Sequence, residues 1–132
     1  MDKLEYIRFL TDDIVYIHGS IRVISSCDGY YATYYDEDEI LQEVNVNVIE
    51  GIPLTPENLE KNGWYGATHS KQSDDTTKIL YKTFKRKGYP TIKASQDLKI
   101  TCELSPFIVK LESVSDLQHL LFGLGINHEM EV

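Results

Sequence analysis

The chain has 132 residues, of which 42% are hydrophobic and 26% charged, with a formal net charge of −8. This is the composition of an ordinary globular domain with room for one modest core, and it excludes a disordered chain. No window approaches the apolar length of a membrane span, and the start MDKLEYIRFLTDD has neither the apolar run nor the cleavage site of a signal peptide. The default reading is a cytoplasmic protein that does not engage the membrane. Cys27 and Cys102 lack C-x-x-C spacing and read as inert buried thiols, not a disulfide or metal site.

In chain order, Asp2 to Leu10 reads as a first strand. The runs DIVYI and IRVIS about His18-Gly19-Ser20 form a hairpin. Asp28-Gly29 marks the next turn, YYATYY a strand, DEDE a further turn, and ILQEV and NVNVI two more strands. Short strands at this spacing predict an acidic SH3-like β-barrel or β-hairpin module over 1–51.

The stretch IPLTPENLEKNGW follows, and it predicts a short hinge helix. Thr55 is its N-cap, Pro56 occupies the first helical position, and Leu54 and Leu59 have the spacing of a hydrophobic staple. Gly63 closes a Schellman turn, so Leu54, Leu59 and Trp64 form one apolar knot. Trp64 is then either a structural plug or one wall of a groove. Residues 52–132 are expected to hold this helix, an antiparallel β meander and a closing helix. Gly66 to Thr77 is polar and without period, and reads as a mobile loop. KILYKTF, TIKAS, LKITCEL and FIVKLES read as strands. Ser113 and Asp116 make a capping box for a last helix, whose apolar stripe is Val114, Leu117, Leu120, Leu121 and Leu124, with Gly125 as its stop. The overall class is α+β.

Charge is divided unevenly along this order. Up to Gly63 there are thirteen acids against four bases, a net −9, whereas from Trp64 onward the balance is +1. Eight of the later bases lie between Lys71 and Lys99. Two surfaces stand out. Lys82, Lys85, Arg86, Lys87 and Lys93 surround Phe84 and Tyr89, so donors interleave with an aromatic that can stack a base or sugar; Lys82, Lys85, Arg86, Lys87 and Tyr89 form with Trp64 a candidate site for a small phosphate-bearing ligand. The same pattern also suits a charged hairpin that keeps a β edge soluble. Tyr34 and Tyr35, with Asp36 and Glu37 beside them, form a candidate protein-docking face. Strand alternation puts Tyr30 with Tyr34 and Tyr31 with Tyr35, and one pair is expected on the surface. Long nucleic acid is not an expected partner, because the acidic half opposes it.

No catalytic motif, cofactor site or metal-ligand spacing is present. His18 and His69 read as surface residues, His119 as pointing off the helix stripe, and His128 as part of a frayed tail. Phe122 also falls off the stripe, beside Ser115 and Gln118, which points to a homodimer or higher homo-oligomer that covers it.

The run IPLTPENLEKNGW, followed by VSDLQHLLFGLGI, resembles a family of small uncharacterised proteins predicted in phages and mobile elements of gut Bacteroidetes. In that family a β-rich module leads into an "IPLT…NGF/W" helix, and a "QLQHLLFGLGI" helix closes the chain. The resemblance covers about half of this chain, and Asp116 stands where the family pattern carries His or Tyr. What it implies is phage-type provenance and this architecture. On that footing the expected function is a non-catalytic binding protein that antagonises host defence by sequestering a small anionic nucleotide-like signal. The alternatives are a protein-interaction module using the acidic tyrosine-rich half, and an enzyme acting on a nucleotide ligand.

Overall fold

A computed structural model describes residues 9–73, 76–95, 99–104 and 106–132. The expected strand over Asp2 to Leu10 therefore lies almost wholly outside the described residues. Among the described residues there are eleven strands and two α-helices, and every strand pairing is antiparallel. The chain is an α+β protein built of open sheets, and among the described residues no barrel closes. Among them, too, no helix is long and apolar enough to cross a membrane.

Two compact units divide the chain: Met1–Ile52 with Ser113–Glu129, and Pro53–Glu112 with Met130–Val132. The last helix belongs with the first unit and not with the meander.

In the first unit β1 (Ile14–Ile17) and β2 (Ser20–Val23) form the expected hairpin. His18 and Gly19 both have positive φ, 50° and 78°, the type I′ geometry whose twist matches the strands. β3 (Ser26–Cys27), β4 (Tyr31–Tyr35) and β5 (Leu41–Asn45) form a second sheet. NVNVI is not one strand. Asn45 accepts a hydrogen bond from the Asn47 N–H and starts a 3-10 turn, Val46–Val48, after which β6 (Ile49–Gly51) leaves β5 to pair with β1. Val15, Ile17, Ile24, Ala32, Tyr34 and Ile49 make one buried cluster. β1 is buried at Ile14 as well as Val15, as suits a strand covered on both faces.

The helix α2 (Val114–Gly123) lies along β1. Ser113 and Asp116 form the capping box, and the Ile126 N–H donating to the Leu121 carbonyl closes its C-terminus. Its buried residues are Val114, Ser115, Leu117, Gln118 and Leu121, while Leu124 is exposed. Two polar residues thus replace part of the expected stripe.

In the second unit α1 (Pro56–Lys61) starts at Thr55, whose hydroxyl accepts from the Asn58 N–H. Gly63 has φ +92°, the Trp64 N–H donates to the Leu59 carbonyl and the Gly63 N–H to Glu60, which is the Schellman pair. Leu54, Leu59 and Trp64 are all buried. β7 (Tyr65–Ser73), β8 (Thr76–Lys85), β9 (Ile92–Ser95), β10 (Ile100–Leu104) and β11 (Phe107–Leu111) form a five-stranded meander. Of the stretch Gly66 to Thr77, expected as a mobile loop, Gly66–Ser73 lies in β7 and Thr76–Thr77 begins β8, while positions 74 and 75 lie outside the described residues. Ladder hydrogen bonds hold the β7–β8 ribbon, and Thr and Ser satisfy strand geometry without the apolar alternation that marks a strand in sequence. Met130 is buried, and the tail is fixed to α1: Asn62 exchanges hydrogen bonds with Glu131, and Lys61 donates to the Val132 carbonyl.

Candidate functional site

Three places carry chemistry, and each lies within one unit. The first is the outer face of β3, β4 and β5. Ala32 and Tyr34 point into the core, so the opposite parity of β4 presents Tyr31 and Tyr35 to solvent, 49% and 58% exposed. Tyr35 pairs with Leu41, Thr33 with Glu43 and Tyr31 with Asn45 across β4 and β5. Leu41 is 53% exposed and Ile40 56%. Of the two tyrosines named from sequence, Tyr35 is thus on the docking face and Tyr34 is core. The acids beside them are built into the turn. One Asp36 carboxylate oxygen accepts from the Asp38 and Ile40 N–H groups and the other from the Gln42 amide, and the Ile40 N–H bond above all holds its pKa below the usual range. Glu37 pairs with Arg22, whose guanidinium lies over the Tyr34 ring. Charge reversal at Asp36 would therefore dismantle the turn before it reported on any partner. Asp36→Asn is expected to unfold at lower denaturant than the parent at pH 7, and the difference should shrink as acid protonates the parent's Asp36, whose folded pKa is depressed.

The second place is the connection from β8 to β9. The Arg86 guanidinium lies 3.9 Å above the Tyr89 ring and 5.1 Å from that of Trp64. Trp64 and Tyr89 meet edge to face at 5.2 Å, and the indole N–H donates to the Pro90 carbonyl at 3.3 Å. Trp64 is wholly buried, so it is the plug and offers no ring to a ligand. Arg86 is likewise packed on the core and not carried on a free tip. Lys82 is paired with Glu60 at 3.6 Å and leans over Phe84. Lys85 and Lys87 remain as exposed cations, with Tyr89 half-buried beneath Arg86.

The third place was not legible in the sequence. A cavity of about 270 Å³ in the first unit is walled by Asp12, Asp13, His119, Phe122 and His128, with Leu10 at its rim. Asp13 is 1% exposed, and one of its carboxylate oxygens accepts from the Leu10 N–H at 2.8 Å and from His119 Nε2 at 2.6 Å. His128 Nε2 stands 3.6 Å from the Asp12 carboxylate, and its ring meets Phe122 edge to face at 5.3 Å. So His119 is half-buried in a hydrogen bond with Asp13, His128 is held in place, and Phe122, still 64% exposed, has a ring partner within its own chain. Gln118 fixes the arrangement: its carbonyl accepts from the Ile14 N–H, and its amide donates to the Asp12 and His128 carbonyls. Its only traces in the sequence are Asp12-Asp13 ahead of a buried strand and two polar residues, Gln118 and His119, in an apolar helix, none of which by itself signals burial.

The Asp13 carboxylate raises the His119 pKa above the ordinary value, against the opposing effect of burial. A raised folded pKa means that the pair's stabilisation is complete below the unfolded value, about 6.5, and disappears as pH climbs through the folded value. Denaturant midpoints of the parent should therefore fall from pH 6 toward pH 9, while those of Asp13→Asn, which has no such pair, lose that component of the slope.

Among the described residues no group of three or more His, Cys, Asp or Glu is placed to hold a metal ion. Cys102 is a buried free thiol and Cys27 a half-buried one. Together these features define a small α+β protein with one apolar, tyrosine-bearing sheet face, one basic turn and one small cavity. Comparison with protein-family models, with curated proteins and with solved structures gives no match for the chain.

Proposed function

We propose that this is a non-catalytic interaction module of phage or mobile-element type, acting in the bacterial cytoplasm, whose N-terminal, SH3-like unit docks on a basic protein and so antagonises host defence. The observation that supports it is the outer face of β4 and β5, where Tyr31, Tyr35 and Leu41 lie exposed on one surface. Tyrosine supplies contact area at low entropic cost, and acids at a rim steer a basic partner and set its on-rate. Glu43, Glu37, Asp38 and Glu39, all exposed, supply that rim. The two sequence motifs that resemble the phage family supply the provenance.

Capture of a small ligand is the second reading. Its support is the cavity beside His119 and His128, just under the roughly 300–1,000 Å³ of drug-sized sites, together with the exposed Lys85 and Lys87 for a phosphate. A phage-defence assay separates the two. Tyr31→Ser with Tyr35→Ser should abolish activity without changing the melting temperature, and Lys85→Glu with Lys87→Glu should leave activity intact. The reverse pattern would sink the docking reading. Self-association through Phe122 has its own check, since light scattering at tens of micromolar should show a dimer that Phe122→Glu dissolves.

A further inference from the structure

The backbone phase of the second sheet of the first unit decides which groups β5 still offers. The Asp36 N–H donates to the Ile40 carbonyl, and the Val46 N–H to the Tyr30 carbonyl. In an antiparallel ladder bonded and non-bonded pairs alternate, so with this register Gln42 and Val44 bond inward to β4. Leu41, Glu43 and Asn45 therefore turn their N–H and C=O groups away from β4. β5 is an edge strand, and among the described residues no other strand pairs with it. Edge strands are ordinarily blunted by proline, by charged side chains, lysine above all, or by a bulge. This one has no proline, lysine or bulge, and its one charged residue, Glu43, repels an acidic strand but not a basic one.

We infer that β5 is a strand-addition site, on which an extended, basic segment of a partner protein pairs as a fourth strand and lays alternate side chains beside Leu41 and Glu43, from where a long one reaches toward Tyr35 on β4. This rests on the docking reading and specifies how the docking occurs. Charge selects the occupant. Self-pairing centred on Glu43 would set Glu43 against its own copy in chains of net charge −8, whereas a lysine or arginine at the same place is opposite in sign. Main-chain bonds to Leu41, Glu43 and Asn45 give affinity; a basic residue across from Glu43 and β-branched or aromatic neighbours give specificity.

The test uses a capped seven-residue peptide with lysine at its centre and valine, tyrosine or threonine elsewhere, against the same peptide with a central glutamate. Binding of the lysine peptide to the full chain should slow hydrogen exchange at the Leu41, Glu43 and Asn45 N–H groups and leave Gln42 and Val44, already bonded, unchanged. Glu43→Pro removes an outward N–H and no inward bond, as proline is tolerated on an edge. It should weaken binding by about three- to tenfold beyond Glu43→Ala, the effect of losing one hydrogen bond. If Tyr31→Ser with Tyr35→Ser abolishes binding while Glu43→Pro matches Glu43→Ala and no amide slows, strand addition is overturned and the docking face survives. If all these variants bind as the parent does, or the glutamate peptide binds equally, both fall. Strand addition is also overturned if the three amides are protected in the free chain, if they become protected on concentrating it alone, or if the lysine peptide shows no binding at millimolar concentration.

Discussion

Replacing Gln118 with leucine lowers the stability of the protein by about 3–5 kcal/mol, although side-chain volume is nearly conserved. The cause is polar. Gln118 is 1% exposed and is the acceptor for the Ile14 N–H and the donor to the Asp12 and His128 carbonyls. A buried group left without its partner costs about 1–3 kcal/mol, and here one donor and two carbonyls are stranded together. Gln118→Glu apportions the loss, since its carboxylate still accepts from Ile14 but donates to neither carbonyl. Urea titrations of the three proteins would measure it, and a Gln118→Leu midpoint equal to the parent's would show that water replaces the amide.

Trp64→Ala should cost a similar 3–5 kcal/mol, by the other mechanism, truncation of a buried aromatic. Trp64 has no exposed surface, and Arg86 and Tyr89 pack on it, so the variant leaves a cavity and also frees the guanidinium stack. Trp64→Phe keeps most of the apolar volume, loses the bond to Pro90, and should fall between the two. Circular dichroism melts of the parent and both variants measure the order, and a Trp64→Ala melting temperature within a degree or two of the parent's would sink the assignment of Trp64 to the core.

The contrast between these two residues shows what the sequence carries. Trp64 was placed by local rules: a capped start at Thr55, a staple at Leu54 and Leu59, and a glycine stop, all decided by neighbours within a dozen positions. The β1–β2 hairpin and the capping box of α2 are legible for the same reason. Gln118 and the Asp13–His119 pair are not, because their partners are more than a hundred positions away and neither polar residue announces a burial that only the tertiary fold creates. The β7 half of its ribbon is not legible for a third reason, since a ladder of main-chain bonds needs no pattern of side chains. Arg86 and Lys82 are legible as cations, but the stacking of one and the pairing of the other are not, because these depend on what the fold sets beside them.

The membership of α2 in the first unit bears on how the protein is made. Gln118 joins Asp12 across 106 positions, and Ile14 across 104. The intervening chain supplies nearly all of the second unit, whose contacts follow one another along a meander. On the ribosome the strands of the second unit therefore leave the exit tunnel before α2, for which the first unit has to wait. Until then β1 lacks the helix that covers it. Closing so long a loop is also slow, so the first unit should be the later to fold and the one most dependent on chaperones during that interval.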